Sequence, residues 1–170
     1  MNKYLSSAYQ FGTLGGILSL ISFGFLAWVQ PDPTNLNLIF GYIITPVSIF
    51  LALKFFKDYS NNGYLSFAEG MSVGFVTYML IAIISALGIW IILVLYPDLF
   101  EVIKASKIQV MEQSKDTIIS QVGEESFQAT QKSIQEMASI DIAINDGIWK
   151  IVPGLFFTII ISIILRKNPN

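Results

Sequence analysis

Apolar residues in this chain fall into long unbroken runs separated by short polar connectors. Charge is absent from Tyr4 to Pro31, from Pro33 to Leu53 and from Gly70 to Pro97. Each run can cross a hydrocarbon core of about 30 Å, which takes about 20 helical residues. The runs predict transmembrane helices at about 9–29, 36–56 and 67–96. After the first, Pro31-Asp32-Pro33-Thr34-Asn35 reverses the chain, because proline cannot continue the hydrogen-bond ladder. After the second comes a polar connector, Lys57 to Tyr64, whose Asn62-Gly63 pair tolerates the positive φ of a turn. Pro46, inside the second helix, predicts a kink. The first segment is too long for the apolar core of a secretory signal and reads as a retained helix.

A fourth helix is predicted at about 148–165. Its uncharged run, Ile151 to Leu165, spans only about 22 Å at 1.5 Å per residue, which places Lys150 at the membrane interface with its stem snorkelling. Asp146, four residues earlier, can pair with it along the helix, an exposed contact worth about 0.3–0.5 kcal/mol.

Between the third and fourth helices the pattern changes. Leu99, Ile103, Val110, Met111, Ile118, Ile119 and Val122 recur at near-helical spacing among charged residues. Gly123 interrupts, and Phe127, Ile134, Met137 and Ile140 resume a weaker pattern. Two amphipathic helices turning at Gly123, the first continuing out of helix three, predict an extramembrane helical hairpin at about 98–146. The fold class is therefore all-α: a polytopic membrane protein forming a single membrane domain over residues 1–170, with four transmembrane helices and one hairpin.

Lys3, Lys54, Lys57, Arg166 and Lys167 fall on one side of four crossings. The positive-inside tendency puts both termini and the connector in the cytoplasm and the hairpin, with nine acidic residues against four lysines, on the far side. Trp28, Trp90 and Trp149 are then expected together near that far interface.

Composition narrows the chemistry. Hydrophobic residues make up 54% of the chain and mean hydropathy is +0.63, while the net charge of −2 gives no basic footprint for nucleic acid. There is no cysteine and no histidine, which removes thiol nucleophiles, imidazole bases and nearly all zinc chemistry. No phosphate loop, zinc-protease motif or nucleophile elbow is present. The chain is expected to be no enzyme, with no catalytic, cofactor or metal residues. The lipid bilayer is its expected partner, with a membrane-protein partner or a second copy beside it.

Candidate contact residues cluster around the connector. Glu69, at the start of helix three, could couple to a cation if buried in hydrocarbon, although a carboxylate in the first helical turn is also favoured by the helix dipole. Gly70 with Gly74, and Gly12 with Gly16, are small pairs that let helix backbones approach, and packing within the chain is favoured over dimerisation. Lys57 and Asp58 could meet a lipid headgroup or a cytoplasmic partner; a solvated anchor needs less.

Leu53-Lys54-Phe55-Phe56-Lys57-Asp58, then Gly63-Tyr64-Leu65-Ser66-Phe67, then Glu69-Gly70 with Gly74, resemble the signature of the domain of unknown function 4199 family, small bacterial membrane proteins. The resemblance extends across essentially the whole chain and singles out Lys57, Asp58, Gly63, Phe67, Glu69, Gly70 and Gly74 as contact residues. Where that family often has Tyr-Arg-Asp, this chain has Phe56-Lys57-Asp58 and lacks arginine's planar fork. The resemblance implies a bacterial inner-membrane location and an accessory part in envelope assembly, without an assigned activity. The leading expectation is a non-enzymatic scaffold. A subunit of an oligomeric transporter or channel is the alternative, disfavoured by the scarcity of ionisable residues within the helices; a sensor using the acidic hairpin is another.

Overall fold

The structure, a computed structural model, describes residues 3–168. Seven α-helices follow in order: α1 (Lys3–Val29), α2 (Thr34–Phe55), α3 (Phe67–Leu95), α4 (Pro97–Gln113), α5 (Lys115–Val122), α6 (Glu124–Glu136) and α7 (Ser139–Leu165). A π-helical turn, Phe56–Ser60, prolongs α2. Four of these stretches, α1, α2 with its π turn, α3 and α7, are long and apolar enough to cross a membrane. This is a membrane protein, and the many apolar side chains left on the outside of the bundle, such as Ile21, Ile43 and Ile164, face the lipid that its length and hydropathy require.

The four long helices run up and down, with α3 packed against α1, α2 and α7. Small residues set the spacing. Gly12 and Gly16 of α1 lie against Leu80 and Ile84 of α3, and Gly88 of α3 against Leu20, a parallel contact. Gly70 and Gly74 of α3 lie against Ser162 and Thr158 of α7, and Gly154 of α7 against Tyr78, an antiparallel one. A methyl group built on Gly12 would fall 2.9 Å from Leu80 Cβ, and one on Gly154 2.7 Å from Tyr78 Cβ. Without a hydrophobic drive between helices in lipid, this close backbone approach is a main source of attraction. Both sequence pairs are thus used inside the chain.

Several boundaries differ from the sequence expectation. α3 does not run on into the next helix: it ends at Leu95, Tyr96 is pulled to φ −122°, ψ 74°, and Pro97 opens α4 at its first position, where its missing N–H costs nothing. The 98–146 region holds three helices rather than two, because Ser114 (φ −102°, ψ 12°) separates α4 from α5. Gly123, with φ +86°, makes the expected turn between α5 and α6. Pro46 is carried inside an unbroken α2. The last helix begins at Ser139, not near 148, so Asp146 and Lys150 belong to a membrane-length helix. Trp149 accordingly lies about 15 Å along α7 from Ser139 at 1.5 Å per residue, so the three tryptophans do not share one end. Pro153, unused in the sequence reading, is a second proline inside a long helix.

Candidate functional site

Two polar regions lie at opposite ends of the bundle. The end with the Pro31–Pro33 turn is called the turn end and the end with residues 57–66 the connector end. Toward the turn end, inside the bundle, α7 carries Asp146 and Lys150 one helical turn apart. Both are buried, Asp146 at 5% and Lys150 at 1% exposure, and they form a direct ion pair. The interface position expected for Lys150 is wrong for this reason: α7 starts earlier, the lysine sits mid-helix facing inward, and Gly41 of α2 leaves room for its stem.

Two neighbouring helices donate to the carboxylate, and a third supports one of those donors. Asn37 Nδ2 of α2 donates to Asp146 Oδ1 at 2.9 Å, Ser85 Oγ of α3 donates to Oδ2 at 2.7 Å, and Ser22 Oγ of α1 donates to Asn37 Oδ1 at 2.7 Å. Asn37 and Ser85 are buried at 1% and 0% exposure. Every long helix of the bundle therefore contributes to a single connected cluster: α1, α2 and α3 one polar side chain each and α7 two. Buried charges persist only when paired and hydrogen-bonded, and an ionisable residue inside a membrane bundle marks a functional site by default. Asp146 also lines a small cleft with Phe23, Thr34, Asn37, Leu38 and Asn145. Its volume of about 10 Å³ is about that of one water-sized sphere.

Above the cleft, α4 is fastened to the bundle. Lys107 Nζ reaches Asp32 Oδ2 at 2.9 Å and donates to Thr34 Oγ1 at 2.8 Å. Ile103 of α4, fully buried, joins Phe23, Ile89, Leu93, Ile142 and Ala143 in one apolar cluster. Beyond it, α6 packs on α4 and α5: Gln131 donates to Glu112 at 2.7 Å, and Lys115 sits over the Phe127 ring.

The connector end gathers the candidates named from sequence, and most of them hold structure together. Ser66 caps α3 by accepting from the Glu69 N–H at 3.2 Å, while Glu69 Oε2 accepts from the Ser66 N–H at 2.9 Å, a reciprocal capping box. Glu69, with its side chain 21% exposed, also pairs with Lys3 at 3.6 Å and accepts from Asn61 at 3.2 Å. Lys57 donates to the Leu165 carbonyl at 3.0 Å, satisfying an orphan acceptor at the end of α7. Leu65 and Lys167 exchange two backbone hydrogen bonds, each 2.9 Å. Gly63 adopts φ +79° beside Asn62 at φ +52°, as an Asn-Gly turn requires. Asp58 and Phe67 are exposed, and Gly70 and Gly74 face α7. The basic residues Lys3, Lys57 and Lys167 are thus drawn to one end.

Asn37, Ser85 and the inward setting of Asp146 and Lys150 were not singled out from the sequence. The available signal was the spacing: an acid and a lysine four apart, bracketed by Ile142, Ile144, Ile148 and Ile151, fit an apolar helix with its own counter-ion. Among the described residues no cluster of three or more acidic, histidine or cysteine side chains could hold a metal ion.

No curated protein and no solved structure matches the chain. The model of the family described as "Protein of unknown function (DUF4199)" matches residues 10–167, nearly the whole chain, and the protein belongs to that family.

Proposed function

We propose that this protein is a non-enzymatic scaffold of the bacterial inner membrane, an accessory component of an envelope process. Its termini and connector lie in the cytoplasm, and α4 to α6 form a helical hairpin on the extracytoplasmic side that serves as the contact surface. The observation that carries this reading is the fastening of α4. A polar segment held to the bundle by Lys107 on Asp32 and Thr34, and by the buried Ile103, is presented in a fixed pose and not on a loose tether. Basic residues at the connector end support the orientation, since lysine and arginine favour the cytoplasmic side.

The test is crosslinking in intact membranes from photoreactive residues at exposed Gln113 and Gln121. Capture of the same partner protein from both positions, lost when Lys107→Ala frees α4, supports the scaffold. Capture of nothing, or of a set of proteins unaffected by Lys107→Ala, overturns it. The buried Asp146–Lys150 pair favours a second reading, a subunit of an oligomeric transporter or channel, because it supplies the intramembrane charges that the sequence reading found scarce. Flux in reconstituted vesicles that is abolished by Asp146→Asn would support that reading in place of the first.

A further inference from the structure

The outer seam between α1 and α2 is grooved. Gly15 of α1 and Ser48 of α2 meet at its floor, where a methyl group built on Gly15 would fall 2.6 Å from Ser48 Oγ. Taller, exposed side chains rise on either side, Leu14 and Leu18 from α1 and Val47 and Leu51 from α2, and enclose about 280 Å³ of apolar space. We propose that this groove seats one acyl chain of an anionic phospholipid, whose phosphate is held at the connector end by Lys54.

The dimensions fit one leaflet. From Thr34 to Lys54 the helix rises about 30 Å at 1.5 Å per residue, which is about the thickness of a hydrocarbon core. With these two residues at opposite boundaries the midplane falls at Ile44, and the groove, lined on α2 from Ile43 to Leu51, lies in the half nearer the connector end. Ile43, Val47, Leu51 and Lys54 are all exposed and follow one another at helical spacing, so the lysine stands at the mouth. Its stem can lie along the apolar wall while the ammonium reaches the headgroup layer. Phe11 and Phe55, ring centroids 5.6 Å apart, flank the same mouth. Tyr59 lies 5.1 Å beyond Phe55 and is 80% exposed, at the level where amphipathic rings are favoured.

Charge selects the lipid. The connector end carries Lys3, Lys54, Lys57, Arg166 and Lys167 against Asp58 and Glu69. Three of these cations are engaged: Lys3 with Glu69, Lys57 with the Leu165 carbonyl and Lys167 with the Tyr64 ring. Lys54 and Arg166 are exposed and have no side-chain partner among the described residues. Arg166 closes α7, which does not line the groove, whereas Lys54 stands over it. A second copy or another protein's apolar helix would fill the groove and leave the lysine's charge unanswered. An anionic phospholipid supplies both the chain and the phosphate.

The experiment measures lipid retention by the full-length protein with native mass spectrometry, in detergent micelles carrying phosphatidylglycerol or phosphatidylcholine with the same acyl chains. Phosphatidylglycerol is expected to be retained about fivefold more, the factor that one lysine supplies near an anionic surface. Lys54→Gln is expected to remove that preference and Arg166→Gln to keep it, while Val47→Trp, which fills the groove from an exposed position, lowers retention of both lipids. Equal retention of the two lipids by the native protein overturns the proposal, as does a preference that survives Lys54→Gln or falls equally with Arg166→Gln. Glycerol phosphate, which has the anion without the chains, is expected not to compete; competition by it would mark a free-phosphate site and overturn the lipid one. A measurement that needs no variant uses phosphatidylglycerol with a photoreactive acyl chain in nanodiscs. Label must concentrate on Leu14, Leu18, Val47 and Leu51 over Ile160 and Ile163 of α7, which are as exposed. Even labelling of the two faces, or exclusion of label from the groove by a second copy or a protein helix seated there, also overturns the proposal.

Discussion

Lys150→Met is the substitution that most directly weighs the polar cluster. Methionine keeps much of the volume of the lysine stem but removes the ammonium, leaving Asp146, 5% exposed, with hydrogen bonds from Asn37 and Ser85 and no counter-ion. Removing one partner of a buried pair costs about 3–5 kcal/mol, whereas replacing both partners with apolar residues is often neutral or stabilising. A pair exposed at a membrane interface would instead lose about 0.3–0.5 kcal/mol, so the two positions of Lys150 differ by about a factor of ten. The assay is reversible unfolding in mixed micelles with increasing denaturing detergent, followed by helical circular dichroism. Lys150→Met is expected to lose about 3–5 kcal/mol and the double variant Asp146→Leu/Lys150→Met to recover most of that loss. A Lys150→Met variant within about 0.5 kcal/mol of the parent, the size of an exposed pair, would refute the buried placement.

The same titration tests the helix contacts. Gly74→Leu is expected to cost about 1–3 kcal/mol through overpacking, because Gly74 lies against Thr158 with no space for a side chain, while Gly24→Ala, with nothing within 4 Å of the added methyl, is expected to cost nothing. Gly63→Ala forces a side chain into φ +79° and is expected to lose about 1–2 kcal/mol, seen as an earlier unfolding midpoint with Asp58→Ala, at an exposed position, as the unchanged control.

Much of the fold was legible because a membrane-length apolar run is a strong signal: three of the four long helices lie within a few residues of their expected places, apart from the start of α1 at Lys3. The Asn62-Gly63 and Gly123 turns were readable for the same local reason, a positive φ that few residues tolerate. The fourth helix was misplaced because charge was taken as a boundary. Asp141, Asp146 and Lys150 interrupt the apolar run, yet Asp141 accepts from the Ala138 N–H at 2.8 Å at the helix start and the other two neutralise one another. The break between α3 and α4 is signalled in the sequence by Pro97, which opens α4. The role of Asn37 and Ser85 was not legible, since only the packing of α2 and α3 on α7 brings them to one carboxylate. At the connector the residues were found, and the structure adds what each of them touches.

The two charges of the cluster sit on one helix, and this bears on how the chain can be built into a bilayer. A membrane helix is inserted before it packs, so a lone aspartate or lysine must cross hydrocarbon without the partners it will later have. With Lys150 one turn from Asp146, α7 brings its own counter-ion, and the pair enters as an electrically neutral unit. Asn37 and Ser85 meet it afterwards, from helices made earlier. Their task in assembly is rotational: of all the faces α7 could turn toward its neighbours, the one bearing the carboxylate finds two ready donors, and that choice also aligns Thr158 and Ser162 with Gly74 and Gly70.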